Sequence, residues 1–467
     1  MKQQSYLDFV RSIIPSEEGF LLFKNSYKSR VAKSIKFIDS RVDRGQLQSF
    51  LIFNWWEFFC PEFLKNSKYR DVICVDNIDS QTLWTHLFHN SGLFYIQEIS
   101  AWLSAQVLDV RKWDLVLDLC AAPWWKTVQL ADRLLSLWWW HVFANEPSNA
   151  RRKALIFNLN RCWLYNTSIL WYDWISVWDL ASEMFDKVLV DAPCSWEGMQ
   201  YKYDKTVTYW DQIWAEKLSR LQKKLLISWL KSLKVWWELV YSTCTLNPYE
   251  NEWVIASVLE MFPCDIELLN VDVEGKSPWL NGFLSWDNQK KVARFWPHIQ
   301  KTWGFFISKF RKLRSIPNDK HIDVRVLKKS EYDQSESLQV KVWDYLIKEW
   351  GVERNNSYRF FSSKDFVYVK DISNIVNGWL FVEKAWIPVC KLWFKWDFIP
   401  QQWLVAVFGN YMNNSVVDLS YEQLQKISEW SDILWCYWDE WKFIVIKCNW
   451  FWLFLAKQVK NSLKLKI

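Results

Sequence analysis

Short apolar runs alternate with helical patterns along residues 91–312. Residues 115–119 (LVLDL) form a continuous apolar run of strand length, which predicts a strand buried on both faces. Similar patterns predict strands at 141–145, 168–172, 187–190 and 239–241, and helices over 126–137, from Ser148 and between 213 and 230. This alternation predicts an α/β fold with a doubly wound parallel sheet. Ligands of such sheets bind beyond the carboxyl ends of the strands, where the strand order reverses.

The two flanking regions carry different patterns. Residues 1–90 predict a small mixed domain, whose first 70 residues hold 12 Lys/Arg against 7 Asp/Glu. The strand-like segments FVYVKD, WLFVEK, KFIVIK and WLFLAK predict a small β-rich domain over 346–467. Residues 301–330 hold nine Lys/Arg and two Asp/Glu, and turn formers follow, which predicts a linker at 313–345. This charge run is equally compatible with a solvated linker and with RNA contact.

The contents of tryptophan and glycine are anomalous. The 467 residues include 38 Trp and only 10 Gly, whereas glycine averages about 7% of protein residues. The tryptophans fall where glycines usually fall beside strands, as at 124–125, 138–140 and 236–237. Some bacterial lineages read the UGA codon as glycine, and translation with another code table prints tryptophan there. We interpret many of these tryptophans as glycine; the alternative is a genuinely tryptophan-rich protein.

A few tryptophans have contexts that favour a genuine indole. These are Trp56, Trp210 and Trp296. In the segment FNWWEF, for example, the first of the two tryptophans is interpreted as glycine and the second as tryptophan.

Composition excludes several classes of protein. The chain is 51% hydrophobic and 24% charged, with a net charge of +6, which is typical of a globular protein and compatible with nucleic acid. We expect no membrane span, because no apolar run approaches about 20 residues. We expect no signal peptide at MKQQSYLDFV. Ten dispersed cysteines without a C-x-x-C pair argue against structural disulfides or zinc and for a cytoplasmic protein without a metal site.

The segment after the first predicted strand is DLCAAPWWKT (118–127), which reads DLCAAPGGKT with glycines restored. A strand, a turn of small residues and a helix N-terminus make a cradle for a polar ligand. Acidic residues follow the next two strands. Glu146 suits a ribose diol or, equally, the dipole of the helix that follows, and Asp173 suits an adenine amino group.

Two cysteines follow two further strands. Cys194 lies in DAPCS (191–195) and Cys244 in YSTCT (241–245). A lone cysteine is usually a small buried hydrophobe. Two cysteines at the carboxyl ends of neighbouring strands, beside a ligand cradle, favour nucleophilic chemistry.

With glycines restored, the segments DLCAAPGGKT, DAPCSGEG and YSTCTLNPYENE resemble three motifs of the NOL/NOP/Sun family of RNA 5-methylcytosine methyltransferases. FYIQEISA (94–101) resembles the family's lead-in segment and PHIQKTWGFFISKF (297–310) its closing strand. The resemblance covers residues 90–312. The layout, with an N-terminal RNA-binding domain and a C-terminal PUA-like domain, is most similar to the bacterial 16S ribosomal RNA branch called RsmF.

The resemblance implies a Rossmann-like core that uses S-adenosylmethionine as its cofactor. It implies that Cys244 is the nucleophile, that Cys194 assists product release, and that Asp191 and Lys126 support catalysis. The implied cofactor contacts are Cys120, Ala121, Ala122, Pro123, Trp124, Trp125, Lys126, Glu146, Asp173 and Asp191. Trp124, Trp125, Trp196 and Trp303 depart from the family pattern, since each stands at a glycine position.

The implied partner is RNA, either 16S ribosomal RNA or the small ribosomal subunit. Three alternatives remain open. Transfer RNA is a second substrate class for the same chemistry, and a DNA cytosine methyltransferase is disfavoured by the second cysteine. A non-catalytic RNA-binding protein is expected if the tryptophans are genuine, because indoles would block the cradle. We expect a monomer without a membrane partner.

Overall fold

The computed structural model describes most of the chain. The described residues are 2–14, 16–26, 31–53, 56–65, 67–69, 73–122, 125–137, 141–175, 181–199, 210–277, 280, 282–317, 335–356, 358–363, 365–371, 387–393, 397–400, 404, 407–408, 411–414, 416–418, 443–448, 451–459 and 462–465. Within these ranges, no helix combines the length and the apolar character that crossing a bilayer requires.

The N-terminal region is an antiparallel sheet with helices before and between its strands. The strands are β1 (Lys33–Phe37), β2 (Phe58–Phe59), β3 (Ile73–Val75) and β4 (Phe94–Gln97), in the order β2-β3-β1-β4. The helices are α1 (Lys2–Ile13), α2 (Glu17–Ser26), α3 (Arg44–Phe53), α4 (Ser80–Thr85) and α5 (Leu87–Asn90). Because β4 pairs with β1, this sheet extends past residue 90, where the sequence predicts a domain boundary.

The central region is built on five parallel strands. These are β5 (Val116–Asp118), β6 (Val142–Asn145), β7 (Thr167–Leu170), β8 (Phe185–Asp191) and β9 (Leu233–Thr243), in the order β7-β6-β5-β8-β9. The edge beyond β9 is antiparallel and contains β10 (Ile266–Leu269), β11 (Ala293–Phe295) and β12 (Phe305–Lys312). The predicted α/β fold is confirmed, but the sheet is mixed rather than wholly parallel, because the chain after β9 returns through antiparallel pairings.

Helices cover both faces of this sheet. The covering helices are α6 (Ile99–Leu108), α7 (Trp125–Ser136), α8 (Asn149–Arg161), α9 (Gln212–Ser232) and α10 (Glu252–Met261). Two short helices, α11 (Trp286–Gln289) and α12 (Pro297–Gln300), follow later in the chain. Successive strand residues point to opposite faces. Val116, for example, belongs to a core with α6, α7 and α8, whereas Leu117 belongs to a second core with α9 and α10. The parallel strands are buried on both faces, which is why they appear in the sequence as apolar runs.

The C-terminal region is rich in strands, as predicted. They are β13 (Tyr358–Ser363), β14 (Phe366–Asp371), β15 (Ile387–Trp393), β16 (Asp397–Pro400), β17 (Val416–Asp418), β18 (Phe443–Cys448), β19 (Phe451–Val459) and β20 (Ser462–Leu465). They form two sheets, β13-β14-β15-β16 and β17-β18-β19-β20, antiparallel except for the pair β17 and β18. The predicted strand WLFVEK (379–384) lies outside the described residues.

A helix occupies part of the segment that the sequence predicts as linker. Helix α13 (Glu336–Trp350) begins at the cap Ser335, whose hydroxyl accepts a hydrogen bond from the Leu338 N–H, and ends at Gly351 in the left-handed conformation. Its Val342 is buried in the C-terminal core. The linker prediction for 313–345 weighed the charges and the proline, and the structure places the first part of α13 over 336–345 of that segment.

Candidate active site

Three of the predicted segments meet at one edge of the central sheet. The order of the parallel strands reverses between β5 and β8, which is where doubly wound sheets bind ligands. The segment after β5 begins at Asp118, the segment after β8 at Asp191, and the segment after β9 at Cys244. Since β5, β8 and β9 are parallel neighbours, these segments share one crevice.

The two predicted cysteines lie in contact. Cys194 Sγ and Cys244 Sγ are 3.3 Å apart, and both thiols are free. Cys194 is buried, whereas Cys244 is half-buried. Burial, together with the hydrogen bond to Cys244, raises the pKa of the Cys194 thiol well above its ordinary value. Cys194 is thus held as a neutral thiol, and Cys244 is the more accessible sulfur.

Lys126 and Asp191 form an ion pair beside the thiols. Lys126 Nζ contacts Asp191 Oδ2, and both side chains are largely buried. The Ser242 hydroxyl donates to Asp191 Oδ1 at 2.9 Å. The Lys126 ammonium also lies 5.3 Å from the centre of the Phe305 ring. The carboxylate is therefore held in one orientation by a cation on one oxygen and a hydroxyl on the other.

The cradle after β5 is anchored by Asp118. The Thr127 hydroxyl donates to Asp118 Oδ2 at 2.6 Å, while the buried Oδ1 has no hydrogen-bond partner. Burial is the main reason that the pKa of Asp118 rises to about 7. The Ala121 N–H donates to the Asn145 carbonyl of β6 at 3.1 Å, which ties the turn to the neighbouring strand.

The other predicted cradle residues divide into three groups. Cys120, Ala121 and Ala122 are buried in the turn. Trp125 opens helix α7 and packs half-buried against the first core. Pro123 and Trp124 lie outside the described residues.

Glu146 and Asp173 follow β6 and β7, farther along the same sheet edge. The Glu146 side chain is fully buried; its Oε1 accepts from the Ser148 N–H at 2.9 Å and its Oε2 lies 3.3 Å from Arg151 Nη1. This geometry agrees with both interpretations of Glu146, the ribose contact and the helix N-terminal carboxylate. Asp173 is exposed and accepts from the Ile175 N–H at 2.9 Å.

Sequence reasoning missed two buried acids in the same motifs. Glu197 Oε1 accepts from the backbone N–H groups of Leu246 and Asn247, each at 3.1 Å. Glu250 accepts from the Ser195 N–H at 3.1 Å and from the Gln222 amide at 2.9 Å. Burial raises the pKa of both acids. The only signal in the sequence was that each cysteine motif contains an acid. In the sequence alone, such an acid looks like part of a polar loop.

The backbone separates two kinds of tryptophan. Among the described residues, Trp113, Trp163, Trp196 and Trp236 have positive φ, between 62° and 79°, a conformation that suits glycine and is rare for bulky residues. This supports the glycine interpretation at Trp196 and Trp236 and extends it to two positions that the sequence did not single out. Trp125, Trp237 and Trp303 do not have positive φ, and residues 138–140 lie outside the described residues.

The three tryptophans predicted to be genuine are all buried. Trp56 packs on Phe94, Trp210 stacks on Phe9 with ring centres 4.8 Å apart, and Trp296 packs on Phe23. Replacing such indoles by glycine would leave cavities in the core. Their environment therefore agrees with the prediction.

Comparison with known proteins matches the central region to methyltransferases. Residues 105–311 match the family described as 16S rRNA methyltransferase RsmB/F. The chain is 29% identical over 325 residues to the ribosomal RNA small subunit methyltransferase F of Erwinia tasmaniensis, covering 67% of this chain and 64% of that protein. The protein of the same name from Shigella dysenteriae is 35% identical over 244 residues, covering 52% and 50%.

A solved structure shares the architecture. A methyltransferase homologue from Pyrococcus horikoshii is 27% identical, with a TM-score of 0.54, covering 63% of this chain and 90% of that one. The chain spans between half and two thirds of the length of the two curated relatives. The family prediction made from the motifs is confirmed to the extent that the central region, residues 105–311, is similar to the RsmB/F methyltransferase family.

Proposed function

We propose that the chain transfers a methyl group from S-adenosylmethionine to carbon 5 of a cytosine in small-subunit ribosomal RNA. The observation that carries the proposal is the pair of thiols, 3.3 Å apart, beside the ion pair of Lys126 and Asp191. The substrate class is taken from the two curated relatives, both of which are named as small-subunit ribosomal RNA methyltransferases.

The crevice fits a cationic cofactor with a ribose. It presents buried acceptor groups, namely the Glu146 carboxylate and the unpartnered Oδ1 of Asp118. We assign the cofactor to the turn Cys120–Lys126 together with Glu146, Asp173 and Asp191. When bound, S-adenosylmethionine supplies an electrophilic methyl group. Glycine at 124 and 125 would let the backbone approach it closely.

Carbon 5 of cytosine is a poor nucleophile, so electrons must first enter the ring. The Cys244 thiolate adds to carbon 6, forming a carbon–sulfur bond and making carbon 5 nucleophilic. Asp191 accepts or donates a hydrogen bond at N3 or the exocyclic amino group as charge develops there, and Lys126 orients the base. After methylation a base removes the proton from carbon 5, and the electrons of that bond re-form the double bond between carbons 5 and 6. The carbon–sulfur bond breaks as they do so, and the Cys244 thiolate departs with the assistance of Cys194.

The target base must leave its stack to reach this crevice. Sequence-specific RNA recognition favours loops and bulges for that reason. The basic residues of 1–70 and 301–330, and the β-rich region, are assigned to the RNA backbone, although 318–330 lie outside the described residues. Binding through such contacts weakens as salt rises.

The test uses the full chain produced with UGA read as glycine, small-subunit ribosomal RNA and transfer RNA. We expect methylation of the ribosomal RNA and, with Cys194→Ala, a covalent RNA–protein adduct that survives denaturation. The adduct should vanish when Cys244→Ala is added. Cys264→Ala removes an exposed cysteine and is the matched control.

Three outcomes would contradict the proposal. Methylation of transfer RNA alone would move the substrate to the other RNA class. RNA binding without methylation would favour the non-catalytic alternative. Methylation without any adduct in Cys194→Ala would exclude the covalent step.

A further inference from the structure

The two loops that carry the thiols hold each other through acids. Glu197 lies on the Cys194 loop, yet it accepts the N–H groups of Leu246 and Asn247 on the Cys244 loop. Glu250 lies beyond Cys244, yet it accepts the Ser195 N–H of the Cys194 loop. The contacts are reciprocal, so neither loop can shift without breaking hydrogen bonds to a buried carboxyl group.

Backbone hydrogen bonds also join the two thiol loops. The Gly198 N–H donates to the Cys244 carbonyl at 3.1 Å, and the Gly304 N–H donates to the Gly198 carbonyl at 2.9 Å. A Cβ at Gly198 would lie 2.2 Å from the Gly304 oxygen and 2.7 Å from the Cys244 oxygen. The backbones of the two thiol loops therefore approach as closely as glycine permits. The hydrogen bonds of the two acids add to this direct contact between the loops.

Counting hydrogens shows that one acid is neutral. Ser195 Oγ lies within hydrogen-bond distance of both Glu197 Oε2 and Glu250 Oε1, but a hydroxyl has one hydrogen to donate. The second contact therefore needs a hydrogen on a carboxyl oxygen. In the described part of the chain, no lysine or arginine pairs with either acid, in contrast to Glu252, which is bound by Arg294 at 2.6 Å.

The partners identify which acid keeps the charge. Glu197 Oε1 receives two backbone N–H groups and the Thr245 hydroxyl, and several donors on one oxygen favour the ionised form. Glu250 accepts two N–H groups, from Ser195 and the Gln222 amide, and the Thr245 hydroxyl lies farther from it, at 3.4 Å. Repulsion from Glu197 adds to burial in raising the pKa of Glu250. Glu250 is thus the neutral member of the pair.

We propose that Glu197 and Glu250 are positioning residues, sharing one proton through Ser195, that hold the Cys194 and Cys244 sulfur atoms in contact. Neither acid needs to touch the substrate. The consequence for turnover rests on the proposed methyltransferase function, but the spacing of the thiols does not.

The spacing is measured without RNA. Diamide takes two electrons and two protons from adjacent thiols, becoming a hydrazine and leaving a disulfide, and peptide mass spectrometry quantifies the Cys194–Cys244 product. We expect Glu197→Ala and Glu250→Ala to slow this coupling by about tenfold or more, since small displacements separate reacting atoms. Glu260→Ala, an exposed acid on α10, is the matched control and should couple at the wild-type rate.

Conservative variants separate positioning from general stability. Glu250→Gln imitates a neutral carboxyl group and should restore at least about half of the wild-type coupling rate and kcat, whereas Glu197→Gln removes the charge and should restore less. In active enzyme, kcat should fall while the KM values for RNA and cofactor stay within about twofold. This comparison remains decisive if either alanine variant fails to fold.

Two results would overturn the inference. One is a folded Glu250→Ala protein that couples its thiols at the wild-type rate. The other is a thiol-coupling rate that is lower in Glu250→Gln than in Glu197→Gln. If the coupling responds as expected but the wild-type chain methylates no RNA, the proposed function fails and the positioning role stands.

Discussion

The two halves of the crevice are built by different means. The half around the thiols is held by contacts between two loops, in which Glu197 and Glu250 each accept N–H groups of the opposite loop. The half around the cradle is held by contacts to the sheet and to its own helix, from the Ala121 N–H to the Asn145 carbonyl and from the Thr127 hydroxyl to Asp118. In the cradle, the sequence prints two indoles where the family pattern has glycines.

This difference teaches which half depends on the genetic code. The thiol loops keep Gly198 and Gly304 in the printed sequence, and the tryptophan at the glycine position 196 is exposed. The cradle does not keep its glycines, and its function depends on how closely backbone can approach a ligand. Both cysteines and both acids are therefore encoded in either translation, whereas cofactor binding requires glycine in the cradle.

The largest expected effect tests the cradle directly. Trp124→Gly with Trp125→Gly in the printed chain should raise the affinity for S-adenosylmethionine at least about 100-fold, or about 3 kcal/mol, because indole volume is removed from the turn. Isothermal titration measures the change. Trp236→Gly, at the far end of β9, is the control and should leave the affinity unaltered. Equal affinities for the double variant and the printed chain would show that the indoles do not obstruct the cradle.

On the thiol side, Gly198→Ala should be damaging. The new Cβ meets two backbone oxygens, which cannot rotate away as a flexible side chain would. We expect a loss of stability of about 2 kcal/mol and slower coupling of Cys194 with Cys244. Gly45→Ala, whose Cβ would lie 3.5 Å from its nearest neighbour, Asp43 Oδ1, should cost nothing measurable. Thermal unfolding compares the two variants. If Gly198→Ala left the stability unchanged, the loops would have room for a Cβ and would not be in close contact.

The pH dependence of stability should report on Asp118, the buried acid of the cradle. Because the folded protein holds a proton on Asp118 up to about pH 7 and the unfolded chain loses it near 3.8, the native state binds more protons between these values. Stability should therefore fall as pH rises through this window, by on the order of 1.4 kcal/mol per pH unit, and level off above it. Asp118→Asn should remove this contribution, while Asp132 and Glu250, whose pKa values rise to about 6 and about 8, keep theirs in both proteins. Urea unfolding at pH 5 and pH 8 measures the change in stability. If the wild-type protein and Asp118→Asn lost the same stability between these pH values, the raised pKa of Asp118 would be contradicted.

The sequence predicted the crevice because its residues follow buried strands. Asp118, Asp191 and Cys244 stand where apolar runs end, and parallel pairing brings such ends together. The mutual binding of the loops was not predictable in the same way. An acid in a polar loop gives no sign of burial until the opposite loop is in place, so the sequence analysis singled out neither Glu197 nor Glu250.

Backbone conformation was the second thing that the sequence concealed. Glycine normally marks left-handed positions, and the printed tryptophans removed that signal at Trp113 and Trp163. The neighbouring strand identified Trp236 as a glycine position and the family motif identified Trp196, but the other two have no such context. The helix over residues 336–345 was missed in a related way, since the charges and the proline of this segment were weighed before the spacing of its apolar residues.

The smallest expected effect has an unusual sign. Trp236→Gly and Trp113→Gly should each stabilise the printed chain by about 1 kcal/mol, because a bulky residue is strained at positive φ and both indoles are exposed. Trp56→Gly should instead destabilise by about 3–5 kcal/mol, since its ring fills a core position. Thermal unfolding of the three variants measures the contrast. A loss of stability in all three variants would mean that the exposed tryptophans are also native residues. The cradle would then hold genuine indoles, and the non-catalytic alternative would be favoured.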